Sequence, residues 1–427
     1  EKEQALLSLK DICRYVGPAA YSPYLNQSIL EAWNLLEYPD EDVRKAAVQA
    51  VGVFMMAYYK LAISGAGFAA DSEFQGYILQ FVPKVSQMIK EDDFVSVVCG
   101  CLDTLADVLK NCKNGVTSQP GIPEKIVECV QRVMKSDCAC MDNEDAGEES
   151  EEVQEAEQDE LLFEYAGEIL PSLGLAMTAG MDNSNGVNNF APYFAGIFPM
   201  LLKKTKQHCT VAERSFTLGS FAECMKPLGS GGGNALQPFI QHLLPVYTKS
   251  FKDEDKDVRN NAIYGIGELA LHGGAPVHNH FPAILQSLSS QLAVEKDPRC
   301  LDQIVGAVCR LIISNKTGVP IEQVLPVVFA NLPLREDMEE YEPVLRALHL
   351  LYTDGNEMVK TAMPKLLEIF ASIYDKKVPQ DQDVFAEEDV PMVKVRPMIE
   401  SLVKLYKSQF VAQYSEIVSM LQSNNNS

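Results

Sequence analysis

The sequence predicts an all-α fold, a solenoid of paired antiparallel helices. Three observations carry that expectation. Apolar residues recur at the helical spacing in segments of about 14–20 residues along the whole chain. Period-2 alternation and Asn-Gly hairpins between β-branched runs, the marks of strands, are nearly absent. The helical segments also come in twos, and the second members superimpose: Asn261-Ala262 matches Gln303-Ile304 42 residues on, and Gln303 matches Glu339 after 36 more. A period near 40 built from two helices is the signature of HEAT or armadillo repeats, whose helix pairs bury their faces only by stacking on their neighbours.

In chain order, residues 1–16 form an unpaired second helix. "YSPYLNQSILEAWNLLEYP" then precedes "DEDVRKAAVQAVGVFMMAYY", and "LQPFIQHLLPVYTKSFKD" precedes "EDKDVRNNAIYGIGELALH". "HNHFPAILQSLSSQL" precedes "DPRCLDQIVGAVCRLI", and "IEQVLPVVFANL" precedes "EDMEEYEPVLRALHLLY". About eight complete pairs are expected, with an unpaired first helix at 408–422. The D-x-x-V-R entry to a second helix stands at Asp40–Arg44 and, with one extra residue, at Glu254–Arg259. The 427 residues therefore read as one solenoid rather than several globular domains. A start at EKEQ in mid-repeat suggests a fragment of something longer, and the polar QSNNNS end reads as a C-terminus. Residues 141–160 carry eleven acids in twenty and are expected to be a disordered loop within one repeat. Smaller interruptions fall at 180–189, 229–233 and 378–389.

With 36 Lys+Arg against 59 Asp+Glu, the formal charge of −23 opposes a nucleic-acid or anionic-membrane partner and suits a basic one. Eleven cysteines, scattered through apolar runs, read as reduced thiols of a cytosolic or nuclear protein. No uninterrupted apolar stretch reaches membrane-spanning length. No Walker loop, G-x-S-x-G or H-E-x-x-H occurs, and His278 and His280 have no cysteine at metal spacing. The expectation is a non-enzyme without metal or cofactor.

On the helix beginning at Asp257, a wheel set on Val258 places Ala262, Ile266 and Leu269 on the core side. Asn260, Tyr264, Asp257, Glu268 and Asn261 share the opposite arc, about 200–300° around. Second helices line the inner surface of a solenoid, so this face would look into a groove. Amides can hold an extended peptide backbone, carboxylates accept from Lys and Arg, and tyrosine offers cation–π contact. Neighbouring repeats continue the theme with Asp302 and Gln303, Glu339 and Glu340, and on the other side Glu213 and Ser215. An earlier repeat has Lys45 and Ala46 in place of the amides, so the pair is a local feature. Ordinary solvated residues are the alternative reading of this face.

Together, the helix pairs, the acidic insertion and the acidic face resemble the C-terminal half of a β-karyopherin. The resemblance rests on "FAPYFAGIFPMLLKKTKQHCTVAERSFTLGSFAE" (190–223), "VRNNAIYGIGELALHGG" (258–274), the insertion followed by "EYAGEILPSL", and "LPLREDMEEYEPV". It implies a nuclear import receptor that shuttles between cytoplasm and nucleus, passes pores on Phe-Gly nucleoporins and releases cargo on Ran-GTP. The Ran-GTP site would lie in N-terminal repeats not present here. Implied cargoes are core histones, the histone-three tail foremost, and ribosomal proteins, with contacts on Asn261, Gln303, Glu339 and Glu340. Gln303 departs from the asparagine expected at its place. Two rival readings are a HEAT scaffold joining protein subunits and a histone chaperone acting through the acidic loop.

Overall fold

A computed structural model describes residues 1–64, 71–141, 149–179, 188–230, 235–374 and 394–408. Every regular element among them is helical, as the periodicity predicts. Helix α1 (Lys2–Val16) stands unpaired. The pairs that follow are α2 (Pro18–Trp33) with α3 (Glu41–Ile63), and α4 (Asp71–Glu91) with α5 (Val95–Cys112). After the short α6 (Asn114–Thr117) come α7 (Ile122–Met134) with α8 (Glu149–Thr178), α9 (Ala191–Lys204) with α10 (Val211–Gly229), and α11 (Gln237–Ser250) with α12 (Lys256–His272). The short α13 (Ala275–His278) leads to α14 (Phe281–Leu292) with α15 (Pro298–Asn315), α16 (Ile321–Ala330) with α17 (Tyr341–Thr353), and α18 (Glu357–Tyr374) with a final helix over 394–408. The unpaired first helix expected at 408–422 and the interruption at 378–389 lie outside the described residues, as do most of 180–189 and 231–233.

The chain divides into two compact units. Among the described residues, one holds those up to 265 and 272–274; the other holds 266–271, 275–374 and 394–408. In the first unit each second helix packs on the next: α1 on α3, α3 on α5, α5 on α8 and α8 on α10. In the second unit α15 packs on α17 in the same way. This stacking explains α3, which by length and composition could cross a membrane. It is apolar almost all round because α1, α2, α4 and α5 cover it, leaving Val48, Val51, Phe54 and Met55 buried.

Entry to the second helices follows one rule: a side-chain oxygen accepts the orphan N–H three residues on. Asp40 accepts from Val43 at 3.1 Å, and Asp297 from Cys300 at 3.0 Å. Thr210 and Glu213 form a reciprocal capping box. In α12 the cap is Asp255, whose Oδ1 accepts from Val258 at 3.1 Å. The motif there is Asp255–Arg259 without an extra residue, a correction to the expected Glu254 start. Arginines four residues after the cap tie repeats together in two places: Arg44 forks onto Asp92 of the next turn at 2.7 and 2.9 Å, and Arg214, which follows the Thr210 cap, reaches Asp253 at 3.1 Å.

The acidic stretch differs from expectation in its second half. From Glu149 the chain is already the start of α8, continuous with the buried run Leu162, Ala166 and Ile169. A helix with a packed C-terminal half can extend through acidic turns, since helix propagation costs little once nucleated. Residues 142–148 lie outside the described part.

Candidate partner-binding surface

The residues placed on one solvated face by the helical wheel sort into two clusters, one in each unit. In the first unit Asn261 Nδ2 donates to Ser215 O at 2.9 Å and to Ser215 Oγ at 3.0 Å. Tyr264 Oη donates to Glu223 Oε1 at 2.6 Å. Both bonds bridge α12 to α10, with Gly219 of α10 lying within 3.4 Å of the Asn261 amide nitrogen when a Cβ is placed on it. Asn261 and Tyr264 remain half-exposed, and Glu223 is exposed. Ser215 is thus a rung partner. Glu213 is committed to its capping box and to Lys204, which donates to it.

Asn260 does not face a groove: it is 6 % exposed. Ala46, which holds the place of Asn261 in the early repeat, is buried as well. The physical reason is that a stacked second helix is covered on three sides, by its own first helix and by both neighbouring second helices. A wheel that removes only its own repeat's core therefore overstates the exposed arc.

The second unit shows the same correction more strongly. Glu268, Asp302, Gln303 and Glu340, expected on the groove, are all buried; Glu339 is exposed. Arg310 of α15 donates from Nε to Glu268 at 2.6 Å, from Nη1 to Glu340 at 2.5 Å and from Nη2 to Glu340 at 3.0 Å. One guanidinium therefore serves two carboxylates in a dry site. Gly306 makes room for it: a Cβ there would come within 1.4 Å of Glu340 Oε2. Asp302 accepts from three consecutive backbone amides, Arg335 and Glu336 at 2.8 Å and Asp337 at 3.1 Å. Gln303 Nε2 donates to Asp337 at 2.9 Å. These side chains fix the turn before α17 rather than offer themselves to a ligand.

Burial pushes the Glu340 carboxyl up to about 7, against the opposing pull of Arg310. In the unfolded chain it titrates near its ordinary value of 4.5. Between those values the folded state binds the extra proton, so this group's contribution to stability is lost as pH rises from about 4.5 through 7. Glu340→Gln should flatten that fall, by about 1–3 kcal/mol between pH 5 and pH 8 in denaturant titrations of the second unit. Identical slopes for wild type and variant would rule this out.

A surface patch in the first unit was missed from sequence. Asp103 and Asp107 stand one turn apart on α5, and Glu164 and Glu168 one turn apart on α8, which packs against it. Burial and the charge of Glu168 raise the Asp103 carboxyl; burial and the charge of Asp103 raise Asp107. Arg14 reaches Asp107 only at 3.4 Å, and Lys110 reaches Glu168 at 3.8 Å. The i,i+4 carboxylate spacing on two successive second helices was the signal available in the sequence.

The fold is thus an α-solenoid of HEAT repeats whose second helices are joined by polar rungs, a class that works by presenting surface to other macromolecules. Human importin-4 is 36 % identical over 379 residues, 87 % of this chain and 34 % of its own length. The probable importin subunit beta-4 of Schizosaccharomyces pombe is 27 % identical across 99 % of the chain and 39 % of its own. The crystal structure of Kap121p bound to RanGTP superimposes with a TM-score of 0.64 at 13 % identity, covering 95 % of this chain and 35 % of that one, a likeness of fold. No protein-family model matches. The chain is similar to importins, members of the β-karyopherin family, along most of its own length, and it spans about a third of the length of the curated relatives it matches.

Proposed function

We propose that this chain is part of a nuclear import receptor, shuttling between cytoplasm and nucleus, and that it contributes a surface for basic cargo. The observation that carries the reading is the 36 % identity to an importin over 87 % of the chain. In the complete protein Phe-Gly nucleoporins and Ran-GTP would be further partners, the latter acting on repeats outside this chain. The cargo class follows from charge. A net −23 and carboxylates held above their usual range on α5 favour a lysine-rich segment, which would relieve the repulsion around Asp103, Asp107 and Glu168. Asp257, Asn261 and Tyr264 in the first unit, and Glu339 in the second, are among the predicted groove residues that keep exposed surface, and the exposed Glu223 lies beside Tyr264. Core histone tails, the histone-three tail foremost, and ribosomal proteins are the cargoes proposed.

The test is a titration of a fluorescent histone-three tail peptide into the chain at 50 and 200 mM salt. Three forms are compared: wild type, Asp103→Asn/Asp107→Asn/Glu168→Gln, and a form with residues 142–160 neutralised by Glu→Gln and Asp→Asn. Binding should weaken about tenfold with salt and about tenfold again in the α5–α8 variant. Loss confined to the 142–160 variant would favour a chaperone-like contact through the acidic segment. Salt-independent or absent binding would favour the scaffold reading. Acetylated tail should bind more weakly, because acetylation removes the attracted charge; equal affinity would overturn that point.

A further inference from the structure

The second unit carries a cleft whose charge runs against the rest of the molecule. It lies where α15, α17 and the helix over 394–408 meet, with a volume of about 420 Å³, a size typical of small-ligand clefts. Its floor is apolar: Ile313, Leu345, Leu350 and Met398. Its polar rim holds the exposed, positively charged Arg346 and the imidazole of His349, whose Nε2 lies 3.3 Å from Ser401 Oγ. Among the described residues, no carboxylate lines it. The two nearest in sequence are turned elsewhere or held loosely: Glu400 accepts from Tyr374 at 2.6 Å, and Glu342 meets Arg346 only at 3.5 Å. In a chain of charge −23, an apolar cleft edged by a guanidinium and an imidazole selects for the opposite sign from its surroundings.

We propose that this cleft receives an acidic peptide segment of a partner protein, seating one bulky apolar residue on the floor while a neighbouring carboxylate meets Arg346. The apolar anchor supplies affinity through desolvation of the floor. The Arg346–carboxylate contact supplies direction, because guanidinium is matched to carboxylate in a two-point geometry. Lysine-rich segments are rejected here, and acidic ones are repelled from the carboxylate patch on α5 and α8. The two surfaces therefore sort partners by charge, and this one stands whether or not basic cargo binds the other.

The probe is a fluorescein-labelled peptide, Gly-Asp-Glu-Asp-Phe-Glu-Asp-Glu, titrated into the 427-residue chain by anisotropy. Its Phe→Ala form and an all-lysine counterpart run beside it. Saturable binding should weaken at least tenfold on Arg346→Glu and at least tenfold on removing the peptide's phenylalanine. Arg299→Glu, an exposed cation away from the cleft, should leave it unchanged. Arg346→Glu should also leave the histone-tail titration unchanged. Circular dichroism melts check that each variant is folded; Arg346 is exposed, so folding is expected to survive. Wild-type affinity in Arg346→Glu, equal binding of the Phe→Ala peptide, an equal loss in Arg299→Glu, or no saturable binding at millimolar peptide would each overturn the proposal.

Discussion

Arg310→Leu should destabilise the second unit by about 3–5 kcal/mol, the cost of leaving buried charge uncompensated. Arg310 is itself buried and is the shared partner of Glu268 and Glu340, at 2.6 and 2.5 Å. Removing it takes from both buried carboxylates the guanidinium they share. They would have to bind protons on folding, so the variant should be most damaged above neutral pH and partly recover toward pH 5. Arg310→Lys keeps the charge but not the fork, and should fall between the two, because an ammonium is a point charge unable to meet both carboxylates in the same plane. Replacing all three members with apolar residues of similar volume should be far milder than Arg310→Leu alone. The only tryptophan, Trp33, reports on the first unit, so the measurement is hydrogen exchange of α15 and α17 amides in a urea series. A loss under 1 kcal/mol for Arg310→Leu would show that the triad does not hold these helices together.

Asp302→Ala should cost about 2–4 kcal/mol and loosen one turn in particular. Asp302 is 0 % exposed and gathers the amides of Arg335, Glu336 and Asp337, with Arg335 Nη1 at 3.2 Å. Three amides converging on one carboxylate oxygen make a small anion nest filled from within. Alanine leaves those donors unpaired at about 1–3 kcal/mol each, reduced where they can turn toward water, as the exposed Arg335 and Glu336 can. Exchange protection of amides 335–337 should collapse before that of α17 itself. The turn also places Asp337 for Gln303, so that contact should go with it. Unchanged protection at 335–337 would mean the turn is held by the buried Leu334 and Tyr341 rather than by the carboxylate.

Both variants touch residues that helical-wheel reasoning put on a groove. Their real positions show how far a sequence reaches in a repeat protein. Asp302 and Gln303 follow the core stripe of α15 at the right phase for solvent, yet a turn from the next repeat sits on them. Glu268 is polar and Gly306 is small for one reason that neither reveals alone: Arg310 and Glu340 occupy the space between them. Asn261, the amide that most invites a peptide reading, spends its donor nitrogen on Ser215. The pairs Asp103/Asp107 and Glu164/Glu168 went unread, although their i,i+4 spacing is plain in the sequence, because the approach of one pair to the other depends on α5 lying against α8.

The helices, their pairing, the repeat near 40 residues and the acidic character were legible in the residues alone, because 3.6-residue periodicity, capping side chains and charge are properties of short segments. The residues also carried the family likeness, which lies in long stretches of them. Which polar side chains meet solvent and which become rungs between second helices was settled by the packing of one repeat on the next. That outcome rests on contacts between residues about 30–45 apart, where exposure on a second helix is set by the repeats before and after it.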